Sequence, residues 1–195
     1  VSDAGMPVIS DPGADLVRLA IAADIPIVPL PGPNAALTAL VASGLDARQF
    51  VFVGFLPKIT AKRKKLLGDL EKVPFTLIFY EAPHRIKETM DTLIKALGDR
   101  KAVTARELTK KFETFNRGTL TSLREGMDIE DPRGEYVILV EGWNDDMAAE
   151  EDSATSWQEK ALELAKTMPA KEAAREIATA FHMGRREVYQ FLIKN

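Results

Sequence analysis

The sequence predicts an α/β fold followed by an all-helical tail. Three observations carry that prediction. Short apolar runs of strand character alternate with segments of helical periodicity between residues 15 and 142. Loops rich in Gly, Pro and Asp follow these runs, at the strand ends where ligands sit in open α/β sheets. A tract from Asn144 to Asp152 holds five acids and no base, and only helical patterns follow it.

The opening, VSDAGMPVISDPG, is a loop of small and turn-forming residues. Val1 reads as the end of a buried strand, and Ser2-Asp3-Ala4-Gly5 as the loop leaving it. Asp15 to Ala23 has a helical face made by Leu16, Leu19, Ala20 and Ala23. Ile25 to Leu30 is a β-branched run with strand character. Ala35 to Ser43 reads as a second helix, and Phe50 to Phe55 as an apolar strand that exits at Gly54 and Pro57. Thr60 to Lys72 is a basic helix, and Phe75 to Tyr80 is the clearest strand of the chain. Ile86, Met90, Leu93, Ile94 and Leu97 form one helical face. Lys101 to Arg106, Phe112 to Arg117 and Glu135 to Glu141 are the remaining strands, with a turn at Arg133-Gly134. In the tail, Trp157, Ala161, Leu164 and Ala165 share a face. Lys171 to Ala180, His182-Met183-Gly184 and Arg185 to Ile193 then read as helix, turn, helix. The expected organisation is α/β over 1–57, α/β over 58–143, an acidic linker over 144–153 and a helical tail over 154–195.

Composition narrows the chemistry. Without cysteine, these 195 residues have no disulfide, thiolate nucleophile or cysteine zinc site. No apolar run approaches the roughly 20 residues that span a bilayer. The opening does not read as a signal peptide, so a cytoplasmic location and no membrane partner are expected. A net charge of −3 argues against a generally basic nucleic-acid binder but leaves room for local patches. Two histidines far apart in sequence make a metal site unexpected. G-x-G-x-x-G, P-loop, H-E-x-x-H and G-x-S-x-G patterns are all missing.

Six segments are candidates for function, and each also has a plain structural reading. The small residues of Ser2-Asp3-Ala4-Gly5-Met6-Pro7 and Ser10-Asp11-Pro12-Gly13 let a ligand approach the backbone, yet two ordinary turns look the same. Pro29 to Ala35 leads into a helix N-terminus, whose N–H groups suit a polar or anionic ligand. Tyr80-Glu81-Ala82-Pro83-His84-Arg85 gathers ionisable groups at a strand end. Ala105-Arg106-Glu107-Leu108-Thr109-Lys110-Lys111 does the same, and an Arg106/Glu107 pair serves a substrate or the fold equally well. Lys58, Lys62, Arg63, Lys64 and Lys65 form a run of five bases without an acid, suited to phosphates or to solvent. The tail presents Lys171, Arg175, Arg185, Arg186 and Tyr189, as a nucleic-acid-binding helix pair does and as many other helix pairs do.

In this order the segments have one counterpart. VSDAGMPVISDPG, VPLPGPNAALTAL, FVFVGFLP, TLIFYEAPHR, ARELTKKFE and GEYVILVEG closely resemble the small-subunit ribosomal RNA methyltransferase I family of the tetrapyrrole-methylase superfamily. The resemblance runs from Val1 to about Gly142, and the tail resembles that family's C-terminal helix–turn–helix. It implies two α/β domains with S-adenosylmethionine between them, and 2′-O-methylation of a decoding-region cytidine in 16S rRNA of the small ribosomal subunit. It also implies a homodimer. By that resemblance Asp3, Ala4, Gly5, Pro33, Asn34, Ala35, Tyr80, Ala105, Gly134, Glu135 and Tyr136 are the cofactor-binding residues.

Two departures stand out. The family carries a further N-terminal region ahead of VSDAG, so a partial first domain is expected, in a chain that is inactive alone. Met6 replaces a common Thr, which removes a hydroxyl. For catalysis the candidates are Glu81, Arg106, Glu107 and Lys110, gathered around the ribose and its phosphate. Lys58, Lys62, Arg63, Lys64, Lys65, Arg185 and Arg186 are the candidate RNA contacts. Two alternatives stay open: a non-catalytic nucleic-acid-binding module working through the tail, and a methyltransferase acting on a tetrapyrrole or other small molecule.

Overall fold

The computed structural model describes residues 5–129, 132–144, 157–181 and 183–194. It divides into two compact units, Val1–Trp143 and Asn144–Asn195. The first unit holds helices α1 (Ala14–Ala22), α2 (Ala35–Ser43), α3 (Thr60–Leu70), α4 (Ile86–Leu97) and α5 (Leu120–Gly126). Its strands are β1 (Phe50–Phe55), β2 (Thr76–Glu81), β3 (Lys101–Arg106), β4 (Thr114–Thr119) and β5 (Tyr136–Val140).

The strands form one sheet in the order β1-β2-β5-β3-β4. Only β1 and β2 are parallel; β2–β5, β5–β3 and β3–β4 pair antiparallel. Phe50–Phe55 therefore shares its sheet with strands from beyond residue 58. The strands β2, over Leu77 to Tyr80, and β5 are apolar because helices cover both faces. Leu77, Phe79, Tyr136, Ile138 and Val140 pack with α3, α4 and α5. Ile78, Val103, Ala105, Val137 and Leu139 pack with α2 on the opposite face.

Three readings need correction. Ile25–Leu30 carries no strand. A β-branched run becomes a strand only against a hydrogen-bonding neighbour, and this run has none among the described residues; Val28 and Leu30 are exposed. The expected strand Phe112–Arg117 begins two residues later, at Thr114. The helix α5 went unread, although its capping box was visible: Thr119 Oγ1 accepts from Ser122 N–H, and Ser122 Oγ accepts from Thr119 N–H.

The second unit contains α6 (Trp157–Ala165), α7 (Ala170–Ala180) and α8 (Arg185–Lys194). Ala161, Ala174, Ile177 and Val188 form its core, and the Trp157 and Phe191 rings meet edge to face at 5.0 Å. Most of the acidic tract and His182 lie outside the described residues. No described helix is long and apolar enough to cross a membrane.

Candidate cofactor and substrate cleft

Strand register builds the site. Phe55 pairs with Tyr80, Glu81 with Tyr136, Tyr136 with Arg106, and Arg106 with Thr114. One edge of the sheet thus collects the ends of all five strands, although these residues span 59 positions of the chain from Phe55 to Thr114 and continue to Tyr136. A cleft of about 370 Å³ opens there, lined by Ala35, Tyr80, Ala105, Arg106, Glu107, Lys110, Gly134, Glu135 and Tyr136. A contiguous hollow adds Gly5, Asp11, Pro33 and Asn34. Asp3 and Ala4 lie outside the described residues. The remaining expected cofactor residues come together.

Two loops and a helix end shape this hollow. Met6 N–H donates to Pro33 O at 3.0 Å, clipping the first loop to the second. Gly5 adopts φ +72°, and a Cβ there would lie 2.9 Å from Pro33 O, so a side chain at this position has no room. Asn34 caps α2: its Oδ1 accepts from Leu37 N–H at 3.0 Å. Tyr80 Oη accepts from Ala36 N–H at 3.0 Å. Thr38 N–H closes the first helical turn on Asn34 O. Of the leading N–H groups of α2, the one on Ala35 has no partner among the described residues, and Ala35 lines the cleft. Burial holds the Tyr80 hydroxyl above its usual value; the Ala36 N–H opposes that rise and the Glu135 carboxylate adds to it. Phe52 and Phe55 fix the Tyr80 ring edge-on at 5.1 and 5.7 Å.

Asp11 lies in a segment that the sequence leaves balanced between a ligand loop and an ordinary turn. Its Oδ2 is buried without a hydrogen-bond partner, in the hollow beside Asn34 and Ala35. A buried carboxylate oxygen without a partner is costly unless a ligand supplies a donor.

Glu81 is not at the cleft. Side chains alternate along β2, so Glu81 points away from the face that Tyr80 occupies. It is fully buried. Its Oε2 accepts from Thr89 Oγ1 at 2.6 Å, with the Arg85 guanidinium 3.6 Å away, and its Oε1 accepts from Ala82 N–H at 2.9 Å. It anchors the start of α4. Arg106, Glu107 and Lys110 do line the cleft. Glu107 Oε1 accepts from Lys110 Nζ at 3.2 Å. Gly134, at φ +70°, leaves room for that carboxylate: a Cβ there would stand 2.7 Å from Glu107 Oε1.

The basic run divides. Lys58, Lys62, Lys64 and Lys65 are exposed, whereas Arg63, 13% exposed, is paired with Glu88 of α4 at 3.0 Å. A helix in contact with α4 turns one side inward, and the consecutive bases do not reveal which residue lies there. In the second unit Arg185 and Arg186 are exposed in the first turn of α8, where the helix dipole gives cations no help. Among the described residues no cluster of three His, Asp or Glu side chains is placed to hold a metal ion.

Residues 1–124 match the tetrapyrrole (corrin/porphyrin) methylases. The chain belongs to that family. Its curated relatives include the ribosomal RNA small subunit methyltransferase I of Bacillus subtilis strain 168, 44% identical over 193 residues, which cover 97% of this chain and 66% of the relative. The protein of that name from Haemophilus influenzae is 44% identical over 196 residues, 98% of this chain and 68% of the relative. The chain thus spans about two thirds of the length of these relatives. The methylase fold is shared with a cobalt precorrin-4 methyltransferase of cobalamin biosynthesis, at TM-score 0.53 and 20% identity over 70% of this chain and 61% of that one. It is shared too with the methyltransferase CobJ, at TM-score 0.54 and 22% identity over 71% of this chain and 62% of that one.

Proposed function

We propose that this chain carries the S-adenosylmethionine cleft of an rRNA methyltransferase that modifies the ribose 2′-hydroxyl of a decoding-region cytidine in 16S rRNA. The observation that carries the reading is the pairing, in one hollow, of an unpartnered N–H at the start of α2 with the unpartnered, buried Oδ2 of Asp11. The amino-acid end of S-adenosylmethionine has the complementary groups, a carboxylate and an ammonium. The small residues Gly5, Ala35, Ala105 and Gly134 leave room for its bulk. When bound, this group supplies a methyl on a positively charged sulfur.

The chain's own residues then have definite tasks. Ala35 N–H and Asp11 hold the amino-acid end. Tyr80 acts one step removed: its hydroxyl fixes the end of α2 through Ala36 N–H. Arg106 and Lys110 bind the phosphate beside the target ribose. Glu107 accepts the proton of the 2′-hydroxyl, because its Oε2 has no hydrogen bond among the described residues while Oε1 is held by Lys110. Glu81 takes no part, since it lies on the other face of the sheet. The small ribosomal subunit as partner belongs to the same reading, supported by the names of the relatives; a homodimeric assembly and a cytoplasmic location are proposed with it.

Calorimetry with S-adenosylmethionine, on this chain and on a version extended by the N-terminal segment of its relatives, tests the cofactor half. Transfer of labelled methyl to 30S subunits tests the rest. Glu107→Gln is expected to bind cofactor normally yet lose single-turnover transfer about 100-fold or more, the usual worth of a positioned base. Wild-type transfer by that variant removes Glu107 from the reaction. RNA binding without cofactor affinity in either form points instead to a non-catalytic RNA module. Cofactor binding without RNA binding points to a small-molecule methylase.

A further inference from the structure

A second cavity adjoins the cleft. The β3–β4 connection, 107–113, and the turn ahead of β5, 132–134, enclose about 820 Å³ of open space. Arg106, Glu107 and Gly134 border both cavities. The Glu107 carboxylate lies over Gly134 where the two cavities adjoin.

Nothing in the proposed reaction uses three features of this second cavity. Phe112 stands at the hairpin tip with 71% of its surface exposed. Lys111 Nζ lies 5.5 Å from the centre of its ring. Arg133, on the facing turn, is exposed and has no hydrogen-bond or ion-pair partner among the described residues. The acids of the same loop are already engaged within it. Glu113 Oε2 accepts from Thr109 N–H at 2.7 Å, and Glu107 Oε1 accepts from Lys110. Apart from Arg106 and the free Glu107 Oε2, which the reaction uses, the groups left to meet a ligand are one aromatic face and two cations. That combination suits a base and its phosphate: bases stack on aromatic rings, and the phosphate pairs with the cations. A duplex does not offer such a base, because its rings are already stacked.

We propose that this cavity binds the nucleotide next to the target in a single-stranded RNA segment. Its base stacks on Phe112, and its phosphate is held by Arg133 and Lys111. The inference rests on the RNA-methyltransferase reading and adds a substrate subsite to it.

The test is fluorescence-anisotropy binding of this chain to a labelled single-stranded RNA of about ten nucleotides, a common site size for such grooves. A matching strand with abasic positions is the control. Phe112→Ala is expected to weaken binding about tenfold, Phe112→Trp to restore it, and the loss to vanish on the abasic strand. Arg133→Gln is expected to lower the salt slope by about 0.7. Both side chains are exposed, so unchanged thermal unfolding accompanies these effects. Wild-type binding by Phe112→Ala and Arg133→Gln overturns the subsite and leaves the RNA reading standing. Equal weakening on intact and abasic strands, without rescue by Trp, also overturns it. A wild-type chain that binds no RNA overturns both.

Discussion

Removing one oxygen tests how the cleft is held. In Tyr80→Phe the ring keeps its edge-on contacts with Phe52 and Phe55, so the change isolates the hydroxyl. That hydroxyl is the acceptor for Ala36 N–H, and Ala36 is only 3% exposed. Water does not readily replace the acceptor there, and an N–H left buried without one costs about 1–3 kcal/mol. For a unit of this size each kcal/mol lowers the midpoint by roughly 3–4 °C, so a fall of about 3–12 °C is expected in thermal unfolding followed by circular dichroism. Cofactor affinity measured by calorimetry should fall with it, because the start of α2 loses a fixed partner. The pH dependence has a definite sign. The folded state holds the Tyr80 hydroxyl above its ordinary value of 10.0. The associated stability is therefore present below pH 10 and is lost as pH rises through the elevated value. Tyr80→Phe should show a shallower alkaline decline than the wild type. A midpoint within about 1 °C of wild type, with an unchanged alkaline limb, refutes the argument, since an unmet N–H in a buried helix end cannot be that cheap.

Three further outcomes follow from the charged surface. Replacing Lys62, Lys64 and Lys65 by Gln should reduce the salt slope of RNA binding by about 2, at roughly 0.7 per contact on single strands. Arg63→Gln should leave that slope unchanged and cost at most about 1 kcal/mol of stability, because its side chain already pairs with the exposed Glu88; salt-dependent binding titrations and thermal unfolding check both. The side chain and backbone N–H of Arg48 hold the Asp46 carboxyl down to about 2. Its contribution is present above 3.8 and is lost as pH falls through about 2. In acid titrations Asp46→Asn should therefore flatten the decline over that window, modestly, because the pair is exposed.

The central strands were legible because they are covered on both faces and read as apolar runs, Leu77 to Tyr80 in β2 and Tyr136 to Val140 in β5. The loops around Gly5, Asn34, Tyr80, Arg106 and Gly134 were legible as motifs in a characteristic order. Composition and spacing left each of them as open as an ordinary turn, and the family resemblance made the selection. Asp11 stood in the opening loop without a decision between turn and ligand site. Phe112 was read as the start of a strand because aromatic residues favour strands, but pairing with β3 begins only at Thr114.

Side-chain types and their linear order therefore settled most of the elements, the family and the inventory of ionisable groups. Which of those groups meet was a matter of pairing between distant segments. The register that sets Arg106 against Tyr136, and Tyr136 against Glu81, brings three strand ends to one edge. The alternation of β2 then sends Tyr80 to the cleft and Glu81 to the opposite core. Glu81 and Arg63 each sit beside residues that serve the proposed site, and both are spent on helix α4. Local sequence is blind to that division, because the facing partner that decides it arrives from elsewhere in the chain.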